Sequence, residues 1–207
     1  MGIISSLFRW TKKISLTEEE KSLCEVIEYD QGLVLEIKEV TINNVDLIPE
    51  VDNDGVILDT KDEGICSLSH YRTAFDFVSN AKDKFRVKGY LLFFFEDEDK
   101  KAFLSMLKGN DDIKIVTWRR TNGINYNKDN SYIVSKLLEW KQISEYEIIG
   151  VGIDFIDLKF LQLPKDLNDF ANDVYTFCSD VVDQGYGEID VFKEELTKTR
   201  LLQLWWD

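Results

Sequence analysis

The sequence predicts an α+β fold, a mixed, mostly antiparallel sheet flanked by helices in a single compact domain. Three observations predict it. The apolar run YLLFFFE, from Tyr90, suits a strand covered on both faces, and AFLSMLKG, from Ala102, returns beside it as a hairpin partner. Strands and helices then mingle without a regular βαβ rhythm, which argues against a parallel α/β sheet. The 207 residues also hold only two prolines, Pro49 and Pro164, and no Ser/Gly tract or repeat, so nothing reads as a flexible linker. The expected organisation is an N-terminal helical segment, residues 1–50, packed on an α+β domain, residues 51–207.

Residues 1–13, MGIISSLFRWTKK, hold three bases and no acid, with Ile3, Ile4, Leu7, Phe8 and Trp10 clustered. They read as a short helix docked on the domain, or as an amphipathic helix on a membrane or partner. Gly2 and Ser6 also satisfy the loose M-G-x-x-x-S myristoylation pattern, which recurs by accident. Thr17 before Glu18, Glu19 and Glu20 starts a helix to about Ile27, with acids where the helix dipole favours them. VLEIKEVTI, from Val34, alternates like a strand but also permits a helical stripe, so residues 31–48 stay open between the two. GVILDT, from Gly55, follows a DNDG turn as a short strand.

Tyr71, Ala74, Phe75, Val78, Ala81 and Phe85 fall on one helical face. The Glu96–Asp99 run with Lys100 and Lys101 makes a solvated turn inside the hairpin. After TNGINYNKDN, a helix from about Asn130 to Trp140 turns Ile133, Val134, Leu137 and Leu138 inward. EIIGVGIDFIDLKFL reads as one or two strands bent near Gly150 and Gly152. Pro164 suits a first helical position, with Leu167, Phe170, Ala171, Val174, Phe177 and Cys178 following at helical spacing. DVVDQGYGEID is a loop and Ile189–Arg200 a helix. LLQLWWD, with its paired indoles, is a final strand expected inside the sheet, with Trp205 or Trp206 in the core.

With 39 acidic against 25 basic residues the net charge is −14, and residues 121–207 alone carry 16 acids and 8 bases. Nucleic acid and anionic membranes are repelled by such a field, whereas a basic protein is attracted. Cys24, Cys66 and Cys178 are scattered without CxxC spacing, and no stretch approaches the length of a membrane span. The expected location is therefore the cytoplasm.

Chemistry is sparsely provided for. No GxGxxG, Walker, GxSxG or HExxH motif occurs, so no cofactor and no zinc are expected. The single histidine, His70, stands four residues from Cys66, a conceivable dyad, though an isolated His is more often a cap or surface residue. Asp180, Asp183, Glu188 and Asp190, with Gly185 and Gly187, could ligate a hard cation, but turn and cap chemistry explains the same residues. Asp154 and Asp157 are acid/base candidates, with a wet strand face as the plainer explanation. Trp118, Arg119, Arg120, Asn122, Gly123, Asn125 and Tyr126 mix aromatic, cationic and polar groups as binding hot spots do. Their alternative is a loop whose arginines pair with nearby carboxylates.

From NYNKDNSYIVSKLLEW onward, the chain resembles the bacterial family catalogued as domain of unknown function 4253. There, a helix ending in tryptophan is similarly followed by strands, a FCPDVVDQG-like loop, another helix and a terminal LWWD. Here FCSDVVDQG carries Ser179 in place of the common proline. The resemblance covers roughly residues 105–207 and implies a class of domain without an established activity. The expected function is thus a non-enzymatic acidic protein-binding module, of the immunity or antitoxin kind, with a carboxylate-dependent enzyme or divalent-metal binder at Asp180–Asp190 as the alternative.

Overall fold

The computed structural model describes residues 13–52 and 56–206. The readings of residues 1–12, of the DNDG turn and of Asp207 lie outside that range. Among the described residues, seven strands form one sheet in the order β1-β2-β4-β3-β5-β6-β7. In chain order these are β1 (Asp46–Val51), β2 (Ile57–Ser69), β3 (Tyr90–Glu96), β4 (Ala102–Lys108), β5 (Glu145–Val151), β6 (Phe155–Gln162) and β7 (Leu201–Trp205). Every neighbouring pair is antiparallel except β3 with β5. The α+β architecture, with helices on both faces of a mostly antiparallel sheet, is the one the sequence predicts.

Helices α1 (Glu18–Val26), α2 (Gln31–Thr41) and α3 (Tyr71–Val87) cover one face. α1 begins with a capping box: Thr17 Oγ1 accepts from the Glu20 amide, and Glu20 accepts from the Thr17 amide at 2.7 Å. The open segment 31–48 divides into α2 and β1. Asp30 caps the Leu33 amide at 3.0 Å, and Leu33, Val34 and Ile37 are buried on one stripe, so helical periodicity outweighs the alternation. Pro49 is accommodated because β1 is an edge strand. The short strand expected at GVILDT extends to the 13 residues of β2.

The other face carries α4 (Ile113–Arg119), α5 (Asn130–Trp140), α6 (Leu167–Phe177) and α7 (Ile189–Thr199). β3 feeds both layers, because alternate side chains of a strand point to opposite faces. Leu91, Phe93 and Phe95 join the core under α4–α7, whereas Tyr90, Leu92 and Phe94 join the core under α1–α3.

Three readings are corrected. Pro164 is not the first helical residue: Asp166 takes the amides of Asn168 and Asp169 at 3.1 and 3.0 Å, so the cap fixes the start of α6 at Leu167. Residues 181–186 are not irregular but form a π-helical turn, Val181–Tyr186, whose first two valines are buried. Finally, β7 lies at the sheet edge rather than inside it, paired among the described residues with β6 alone. α7 ends at Arg200 in the left-handed region (φ 58°), and β7 then returns antiparallel along β6. The edge is shielded in part by the π turn, whose Gly185 lies against the Trp205 indole, and by Cys178 at the end of α6, whose thiol donates to the Trp205 carbonyl at 2.9 Å. Trp206 reaches the core as expected, its indole lying against Gly123, where a Cβ would stand 2.8 Å from the ring.

A bulge between Ile148 and Gly150 interrupts β5 and sets Gly150 beneath the Phe94 ring. A Cβ there would stand 2.1 Å from Phe94 Cζ. Gly150→Ala is therefore expected to lower the unfolding free energy by about 1–3 kcal/mol, read by urea denaturation against the wild type.

The parallel junction is short, pairing only Phe94 with Gly150 and Phe95 with Val151. Beyond it Lys82 enters from α3, and its Nζ donates to the carbonyls of Leu92 (2.9 Å) and Ile148 (2.5 Å), one on each strand. The ammonium thus joins two backbones that no longer pair directly, satisfying carbonyls that burial would otherwise leave costly. Asp112 Oδ2, 3.3 Å away, supplies the countercharge and accepts from the Ile148 amide at 3.0 Å. Arg86 extends the cluster, with Nη2 2.5 Å from Glu147 Oε1.

Candidate functional site

The two stretches singled out in the sequence meet at one point. Tyr126, in a 3₁₀ turn at Ile124–Tyr126, donates its hydroxyl to Asp180 Oδ2 at 2.7 Å, across 54 residues of chain. Their companions serve the fold. The Trp118 indole donates to the Pro49 carbonyl at 3.2 Å and packs edge-on against Phe93 and Phe95. Arg119 is fully buried; its Nε and Nη2 donate to the Glu96 carbonyl at 3.3 and 3.1 Å, and burial lowers its pKa. Arg120 closes α4 in the left-handed region, and Asn125 is exposed. α4 thus carries Arg119 into the core, with Trp118 packed against it and Arg120 half-exposed at its end.

The acidic loop also disperses. Asp180 is held by Tyr126, Asp183 accepts from the Tyr175 hydroxyl at 3.2 Å, Asp190 pairs with Lys193 at 2.6 Å, and Glu188 is the exposed N-cap residue of α7. Among the described residues no three His, Cys, Asp or Glu side chains converge as a metal ion requires. Cys66 donates to the Leu47 carbonyl at 3.5 Å, and burial pushes its thiol pKa up to about 12. It stays protonated at neutral pH and lacks the thiolate that a Cys-His nucleophile needs, while His70 is exposed at the start of α3.

A more specialised arrangement surrounds Asp157. The alternation of β6 suggested a wet face, yet this carboxylate is only 3% exposed, because α3 leans over that face of the sheet. It stands opposite Gly150 on β5 and Gln203 on β7. The Tyr71 hydroxyl donates to Asp157 Oδ2 at 2.9 Å and receives Gln203 Nε2 at 3.4 Å. Burial pushes the Asp157 pKa up to about 6, with the Glu96 charge adding to it and the hydrogen bonds from Tyr71 and Gln203 opposing it. Burial and the neighbouring Asp157 charge likewise raise the pKa of Tyr71.

This trio opens into a cleft of about 200 Å³ beside the edge strand. Phe75 extends one wall, and Tyr186 of the π turn with Glu195 of α7 forms another. Such a lining, rings and carboxylates together, can hold a cation or a hydrogen-bond donor. Periodicity did not find it, because Tyr71 and Gln203 are 132 residues apart. The available signal was Asp157 within FIDLKFL, where Lys159 is the only other polar residue.

The model of the family described as Domain of unknown function (DUF4253) matches residues 103–207, and the chain belongs to that family. No curated protein and no solved structure matches it. The matched segment supplies β4–β7 and α4–α7 but does not make a continuous sheet by itself. β3, from the preceding half, lies between β4 and β5. The Asp157 cleft likewise draws Tyr71 and Phe75 from outside the matched segment.

Proposed function

We propose that the chain is a non-enzymatic, cytoplasmic protein-binding module of the immunity or antitoxin kind, receiving a basic protein on the layer formed by α6, the π turn and α7. One observation carries this reading. Residues 163–199 contain nine acids and three bases, and Asp166, Asp169, Asp183, Glu188, Asp190 and Glu194 are exposed. Such a field speeds encounter with a positive partner and disfavours a negative one. Three buried free cysteines fit a reducing compartment. No helix among the described residues is long and apolar enough to cross a membrane.

Capture from the native cell, and against the products of neighbouring genes, tests the reading. A basic protein should be retained at low salt, released as ionic strength rises, and lost when Asp183, Glu188 and Asp190 are changed together to lysine. These residues are exposed, so the variant should keep its fold, checked by circular dichroism. Failure to retain any protein at any salt concentration would sink the proposal.

A further inference from the structure

We propose that the cleft beside β7 takes one arginine side chain of the basic partner, its guanidinium lying against Tyr71 and Phe75 beside the Asp157 carboxylate. The inference rests on the acidic-module reading and adds the side chain that module recognises.

The lining decides the sign of the occupant. Asp157 and Glu195 contribute carboxylates, Tyr71, Phe75 and Tyr186 contribute rings, and among the described residues no lysine or arginine lines the cleft. An anion would be repelled, and an apolar group would leave a desolvated carboxylate without a countercharge. A cation meets both carboxylates and ring faces. The size decides between a side chain and a larger ligand, since small-molecule and cofactor pockets usually run to roughly 300–1,000 Å³ and this cleft holds about 200 Å³.

The wall chemistry decides between the two basic side chains. A planar guanidinium stacks on aromatic faces and spreads five donors, whereas an ammonium is a compact point charge. Tyr71 and Phe75 present stacked rings, 6.1 Å apart at an interplanar angle of 26°. Phe75 already carries one guanidinium, that of Arg72, 5.9 Å from its centroid. Asp157 and Glu195 offer acceptors from two different elements, β6 and α7. The Lys198 ammonium 3.4 Å from Glu195 belongs to an exposed pair and is displaceable. Glu195 also makes the cleft continuous with the acidic face of α7, so an arginine entering here would belong to a partner already drawn to that face.

The test titrates the full chain with N-acetyl-arginine amide, with its neutral isostere N-acetyl-citrulline amide, and with N-acetyl-lysine amide, following backbone amide signals by NMR. The expected result is a saturable shift centred on Tyr71, Leu201 and Gln203 with the arginine probe, weaker with lysine and absent with citrulline. Asp157→Asn, which keeps shape and removes charge, should weaken binding about tenfold or more. Lowering the pH from 7 to 5 should do the same to the wild type. Protonation then removes the charge faced by Tyr71 on α3, Gln203 on β7, Glu96 on β3 and the bare Gly150 on β5. Equal shifts with citrulline, shifts unaltered by Asp157→Asn, or no saturable shift with any probe would overturn the inference. Capture of a basic protein equally well by wild type and Asp157→Asn would overturn it too, while leaving the acidic-module reading standing.

Discussion

Lys82→Met is expected to lower the unfolding free energy by about 3–5 kcal/mol, the range found when one member of a buried ion pair is removed. Lys82 and Asp112 are each almost wholly enclosed, and among the described residues Asp112 Oδ1 has no hydrogen-bond partner. Removing the ammonium leaves Asp112, as countercharge among the described residues, only the longer contact to Arg86 Nη2, 3.8 Å from Oδ2, and frees the carbonyls of Leu92 and Ile148 where β3 and β5 part. Methionine fills a similar volume, so cavity formation contributes little and the loss reports electrostatics and unsatisfied backbone. Adding Asp112→Asn should restore part of the stability, because it removes a buried charge whose remaining partner, Arg86, is distant. Urea denaturation of the two single variants and the double variant checks this, and a loss below about 1 kcal/mol for Lys82→Met would show that the cluster is peripheral to stability.

Asp157→Asn should instead stabilise the protein near neutral pH. The folded-state pKa, pushed up to about 6, exceeds the ordinary aspartate value of 3.8. The folded protein therefore binds the extra proton more tightly than the unfolded chain. That contribution is fully present below about pH 4 and disappears as the pH rises through about 6. At 1.36 kcal/mol per pH unit of displaced titration, ionised Asp157 costs about 3 kcal/mol at pH 7 relative to acid. Asparagine keeps an acceptor for Tyr71 and never ionises. Its unfolding free energy should exceed that of the wild type by about 2–3 kcal/mol at pH 7, and the two should converge near pH 4. Parallel curves for the two proteins between pH 4 and 7 would show that Asp157 does not titrate in this window. A carboxylate held at such a cost is what a binding site would require, because stability and site chemistry commonly oppose one another.

Much of the architecture was legible because it is written in local periodicity. The stripe from Tyr71 to Phe85 gives α3, the run YLLFFFE gives a strand covered on both faces, and the paired indoles mark a packed end. Where two periods were both satisfied, as in 31–48, the pattern could not choose, and the Asp30 cap with a buried stripe decided. Strand order was not legible: LLQLWW is apolar enough for a central strand, yet it lies at an edge that Cys178 and, in the π turn, Gly185 pack against.

The candidate site shows the same division. Trp118 and Arg119 have the composition of a binding segment, but α4 folds Arg119 into the core and packs Trp118 against it, an outcome their residue types do not encode. Lys82 occupies a buried position on the apolar stripe of α3, a signal present in the sequence whose meaning depends on Asp112 and on strands that part nearby. Asp157 looked like one acid on a wet face, and the overlying α3 made it a buried group with an altered titration.

By itself, the sequence determined the α+β class, the helices with clear stripes and caps, the acidic field and the family. Those follow from composition, spacing and contacts a few residues apart. The tertiary structure alone decided which strand is an edge, which charges are buried, and which rings and carboxylates share a cleft. These depend on contacts such as Tyr71 with Gln203 and Tyr126 with Asp180, between residues too distant in the chain for local periodicity to register.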